Sequence, residues 1–79
     1  MSKQLKLIWD FYGPDAQRTA EHHVHHLKEY VHMNQLNHEI CEVDMEDEMH
    51  WTAFIVVDEI EMEKVRDDLL PHRGAWYYN

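Results

Sequence analysis

Five of the chain's eight histidines fall in one stretch, Ala20–His32, AEHHVHHLKEYVH. Neutral imidazole is a ligand for Zn²⁺, Ni²⁺ and Cu²⁺, and histidine is the side chain whose charge ordinarily changes near neutral pH. On a helix, residues three and four apart are neighbours on one face. Two overlapping three-ligand half-sites can therefore be drawn, His22/His26/Glu29 and His25/Glu29/His32. Against a metal function, one helix face does not readily close a tetrahedral shell, and nothing matches the H-E-x-x-H pattern. The preferred reading is a solvated helix face; a Zn, Ni or Cu site and a pH-responsive surface are the alternatives. His23, beside the apolar stripe, is expected to pack at its margin.

A second grouping comes from residues far apart in the chain. Asp10, Tyr12, Asp44, His50, His72 and Arg73 are all expected near one end of the folded unit. An aspartate and a histidine beside aromatics are the ingredients of a general-base pocket, with Asp10 or His50 as the base. They equally make a rim ion pair, with Arg73 neutralising the acidic turn. Other chemistries find less support. Ser2 is the one serine and sits at a terminus, so no serine triad can be built, and there is no glycine-rich phosphate loop. Cys41 is expected on a buried strand face among acids, which works against a nucleophilic thiolate. Asp67-Asp68 and the acids from Asp44 to Glu48 read as solvated surface, with a hard cation at the hairpin as the alternative.

The elements that must position these groups are legible from pattern and punctuation. LKLIWDFY, Leu5–Tyr12, is a strand, stopped by Gly13-Pro14-Asp15. A helix follows from Pro14 to about Asn34, with Ala16, Ala20, Val24, Leu27 and Val31 as its buried stripe. His38–Asp47 alternates as a half-buried strand, Glu48–Val57 is a stronger one, and the acids between them mark a hairpin. Asp58 is placed to cap a second helix whose Ile60, Met62, Val65 and Leu69 face inward; Pro71 ends it, and Gly74–Tyr78 is a last short strand. The order β-α-β-β-α-β predicts an α+β, ferredoxin-like sandwich: a four-stranded antiparallel sheet with two helices on one face, a single domain over residues 1–79.

Alternation then sorts the strands. Odd-numbered residues, from Leu5, Leu7 and Trp9 through Met45, Met49 and Val57 to Tyr77, are assigned to the core under the helices. The even set is assigned to the open face and includes Ile8, Tyr12, Phe54, Val56, Trp76 and Tyr78. Such a set forms a larger apolar patch than monomers usually expose, and a second copy packed sheet to sheet is the economical cover.

Seven basic against sixteen acidic residues give a formal charge of −9, which argues against nucleic-acid binding. Protonating the eight histidines would raise it to −1, the basis of the pH-responsive alternative. A single cysteine excludes an intrachain disulfide and suits a cytoplasmic setting, and no apolar run is long enough for a membrane span. The sequence thus predicts a small non-catalytic domain that dimerises through its open sheet face and binds a small molecule or protein partner there. An enzyme using Asp10 and His50 in a pocket between subunits, and a metal-binding or pH-responsive protein working through the first helix, are the alternatives.

Overall fold

The run of aromatic and branched residues ahead of Gly13 forms β1 (Gln4–Tyr12) in the computed structural model, which describes residues 3–78 and so leaves Ser2 outside the described residues. Gly13 takes a φ of 107°, a conformation that side chains disfavour, and its N–H donates to the carbonyl of Met49 at 2.8 Å. The chain reverses there into α1 (Ala16–Asn34), so that Pro14 lies just ahead of the helix. The stripe Ala16, Ala20, Val24, Leu27 and Val31 is buried as the spacing predicts. Gln35, in the left-handed conformation, closes the helix through its N–H to the His32 carbonyl.

Next come β2 (Cys41–Asp47) and β3 (His50–Asp58). The strand expected from His38 begins at Cys41, although Ile40 still accepts the Val56 N–H at 3.0 Å. Glu48 and Met49 make the hairpin turn, tightened by the Asp47 carboxylate, which accepts the Met49 N–H at 2.7 Å; the register shifts between Met45 and Asp47. α2 (Glu59–Leu69) starts on Asp58, whose backbone N–H donates to Glu61 Oε1 at 3.2 Å. β4 (Arg73–Tyr77) ends the fold.

The strands form one antiparallel sheet in the order β2-β3-β1-β4, an α+β arrangement of the ferredoxin-like type. The helices cover one side. There Leu7, Trp9, Cys41, Ala53, Ile55 and Val57 pack with Ala20, Val24, Leu27 and Val31 of α1 and with Val65 of α2. The Trp9 indole N–H donates to the Leu69 carbonyl at 3.3 Å, tying the end of α2 to the central strand.

Of the residues expected in the core ahead of β4, three lie outside it. Ile60 is exposed because Met62, Val65 and Leu69 follow the three-and-four spacing of the inward face, whereas Ile60, five before Val65, points away. Met49 is exposed because it belongs to the turn rather than to a strand, and Met45 because it stands on the edge strand beside the register shift.

Candidate functional site

Directly paired residues of an antiparallel sheet share a face, so the register settles what the open side carries. Asp10 pairs with Thr52 and Tyr12 with His50 on β3, while Ile8 pairs with Arg73 on β4. This brings Asp10, His50, Tyr12 and Arg73 to one rim, as the sequence predicts. The Asp10 carboxylate is the hub. Its Oδ1 lies 2.7 Å from His50 Nε2, and Arg73 closes on both oxygens, Nε to Oδ2 at 2.9 Å and Nη2 to Oδ1 at 3.0 Å. Asp44 is not part of this group: it pairs with Lys6 at 3.4 Å.

The Arg73 fork, assisted by His50, holds the Asp10 carboxyl at about 2, against the partial burial that works in the other direction. Asp10 is therefore an acceptor at all ordinary pH, which fixes the proton of neutral His50 on Nε2 and leaves Nδ1 as its basic nitrogen. The Tyr12 ring stacks on that imidazole, centroids 4.3 Å apart. Just ahead of β4, His72 Nδ1 accepts the Asp10 backbone N–H at 2.9 Å, an imidazole standing where a strand carbonyl would otherwise complete the ladder. These contacts make Asp10 a fixed anchor rather than a base; any proton transfer at the rim belongs to His50.

The rest of the open face departs from the expected exposed patch. Ile8, Phe54 and Val56 form its centre together with Ile40 and Tyr77, but they are only 5, 6 and 0 % exposed. Ile40 and Tyr77 pack against them, and the Lys6 ammonium sits 4.1 Å above the Phe54 ring centroid while reaching Asp44. Trp76 pairs with Leu5, which puts it on the helix side of the sheet, and Tyr77 pairs with Gln4 on the open side. The alternation assigned to β4 is thus inverted. Trp76 instead lies beneath the Lys3 ammonium, and Tyr78, beyond the end of β4, is exposed.

No family model matches the chain, and neither the curated proteins nor the solved structures give a match. What the surface does must be read from its own chemistry.

On α1, His22 Nε2 and His26 Nε2 stand 3.0 Å apart, and Glu29 Oε1 is 3.2 Å from His26 Nδ1. The second half-site does not assemble: His25, Glu29 and His32 line one open depression with Glu39, but His32 Nε2 is taken by Glu39 at 2.9 Å. Among the described residues, no group of three or more His, Cys, Asp or Glu side chains comes together to hold a metal ion. His23 packs as expected, edge-on to Trp9 at 4.6 Å and against Phe11, and its buried Nε2 has no hydrogen-bond partner. Burial, with His26, His72 and His22 nearby, pushes the His23 pKa down.

A second aspartate–histidine pair, at the other end of β3, was not legible as a site. His38 Nε2 lies 2.8 Å from Asp58 Oδ1, Asn37 Nδ2 donates to Oδ2 at 2.7 Å, and the Gln4 amide is 2.9 Å from His38 Nε2. The Asn37 and His38 bonds lower the Asp58 pKa. Asp58 was readable as a helix cap, but its partners come from the loop before β2 and from β1, separations that no local pattern encodes. Cys41 is buried, and that burial pushes its thiol up to about 11. No helix among the described residues is long and apolar enough to cross a membrane.

Proposed function

We propose that the chain is a non-catalytic binding domain of the cytoplasm that pairs with a second copy through its open sheet face and offers the Asp10 rim to a small ligand or protein. One observation carries the reading. Glu42, Phe54, Ile8 and Arg73 stand in a single row across the four strands, each paired with the next, with an acid at one edge and a base at the other. A two-fold axis parallel to the strands turns this row onto itself reversed. Glu42 of each copy then faces Arg73 of the other, and Phe54 faces Ile8. Arg73 uses Nε and Nη2 on Asp10, so the facing carboxylate would meet its Nη1 side.

Because Ile8 and Phe54 are already buried within one copy, little apolar area remains to be gained at the centre. The reading rests instead on charge complementarity and on the flexible stems of Lys6 and Arg73, which can re-lie between two sheets. At the rim, Tyr12 offers an exposed aromatic surface beside His50, fixed recognition groups for a polar or aromatic ligand.

The test is mass in solution by light scattering, with 9.7 kDa as the monomer. Twice that mass is expected at tens of micromolar, and Glu42→Arg, which sets like charges against each other across the two-fold, should weaken pairing by about tenfold or more. Glu63→Arg on α2 is the control for net charge. A monomer throughout, or equal effects of the two reversals, rejects the assembly.

The 2.7 Å contact of Asp10 with His50 favours one other reading, an enzyme in which His50 Nδ1 is the base and Asp10 orients the ring. It requires a reaction that His50→Gln abolishes while leaving the solution mass unchanged.

A further inference from the structure

We infer that His22 and His26 form a two-nitrogen chelate on the exposed face of α1 for a borderline divalent transition ion, copper(II) foremost, with Glu29 acting on His26 rather than on the ion. Three features of the helix support this. The first is spacing. At a metal–nitrogen distance of about 2.0–2.1 Å, two imidazole nitrogens bound at a right angle lie about 2.9 Å apart, and at the tetrahedral angle about 3.3 Å. His22 Nε2 and His26 Nε2, both on the ring tips, are already 3.0 Å apart. The ion takes the place of the proton that the two rings now share.

Glu29 supplies the second feature. Its carboxylate lies 3.2 Å from His26 Nδ1, the other nitrogen of the same ring. A carboxylate in that position favours the proton on Nδ1 and leaves the Nε2 lone pair for coordination, which is the usual outer partner of a metal-bound histidine. The three-ligand reading, in which Glu29 binds the ion directly, is replaced by a division of roles.

The third feature is the absence of competition at the ring tips. His32 is committed to Glu39 and His23 to the aromatic cluster under the helix, whereas the side chains of His26 and Glu29 are 58 and 57 % exposed. Water can fill the remaining positions around an ion held at two adjacent corners. Two cis nitrogens with open positions suit the tetragonal preference of copper(II) and nickel(II), and the general affinity order places copper(II) first and zinc(II) below it. The net charge of −9 raises the local concentration of any cation.

The experiment is a titration of the whole chain with Cu²⁺, and separately with Ni²⁺ and Zn²⁺, followed by calorimetry and by the electron paramagnetic resonance spectrum of the copper form. One ion per chain with two coupled imidazole nitrogens is expected, bound more tightly for copper than for nickel or zinc. His22→Asn or His26→Asn should cost at least thirtyfold in affinity and remove one nitrogen from the spectrum. Glu29→Gln should cost about tenfold while both nitrogens remain. His25→Asn and His32→Asn should change nothing. Circular dichroism of each variant shows that α1 is intact. The assignment fails if affinity survives loss of His22 or His26, if Glu29→Gln changes the donor set, or if the stoichiometry is one ion per two chains.

Discussion

Arg73 grips Asp10 through two parallel bonds, at 2.9 and 3.0 Å, and in doing so joins the edge strand β4 to the central strand β1 at the rim where His50 and Tyr12 stand. The pair does two things at once. It keeps Asp10 ionised, and it fixes the orientation of the rim.

The acid response of the fold follows from that pair. The folded Asp10 carboxyl titrates at about 2 against an ordinary 3.8, so its contribution is complete above about pH 4 and is lost as pH falls toward 2. Arg73 is half exposed, and solvent screening trims the contribution to about 1–2 kcal/mol. Urea unfolding of Asp10→Asn should show that deficit at pH 7 and approach the parent curve near pH 2. A constant deficit from pH 7 to pH 2 would show that the carboxylate charge is not the cause.

Removing His23 should stabilise the fold. Its ring packs against Trp9 and Phe11 with a buried nitrogen that finds no partner. An unpaired buried polar atom costs about 1–3 kcal/mol. His23→Phe keeps an aromatic ring and removes the nitrogen, and should raise the unfolding free energy at pH 7.5 by about 1 kcal/mol. Equal or lower stability would show that the ring is hydrogen-bonded in solution.

Much of this arrangement was legible in the sequence, and the exceptions have physical causes. The α1 stripe came through because five residues at three-and-four spacing leave no other face to bury. The Asp10–His50 approach followed from alternation on two long strands whose pairing the hairpin and the β-α-β-β-α-β order dictate. β4 was misassigned because Ala75-Trp76-Tyr77-Tyr78 has no alternation to read; its face is set by pairing with β1, where Gly74 lies over Leu7, a Cβ at that position meeting Leu7 Cδ2 at 3.5 Å. The burial of Ile8, Phe54 and Val56 is not legible because part of their cover comes from Tyr77, which alternation puts on the other face, and from Lys6, which reads as polar surface although its ammonium lies over the Phe54 ring. The Asp58 cluster lay beyond any local signal.

Cys41 should be chemically quiet in the native protein. Burial pushes its thiol up to about 11, so the reactive thiolate is scarce at neutral pH, and the residue is 3 % exposed as part of the core. Alkylation by iodoacetamide at pH 7.5, followed by mass spectrometry, should run slower than in urea-unfolded chain by two orders of magnitude or more. Comparable rates would place Cys41 on an opening segment of β2 and remove it from the core.

The centre of the fold offers the sharpest stability test, because a chain of 79 residues has little core to spare. Leu27 is 1 % exposed and packs with the buried strand residues beneath α1. Leu27→Ala should cost about 2–5 kcal/mol, much of the stability of a small domain, and leave the chain partly unfolded at 37 °C. Ile60→Ala, by contrast, trims a residue 89 % exposed and should shift the unfolding midpoint hardly at all. The two variants remove similar apolar volumes from helices on the same side of the sheet, so their difference reads the value of burial directly. If Ile60→Ala destabilises the protein as much as Leu27→Ala, then Ile60 is covered in solution, and a second copy resting on α2 rather than on the open sheet face becomes the assembly to look for.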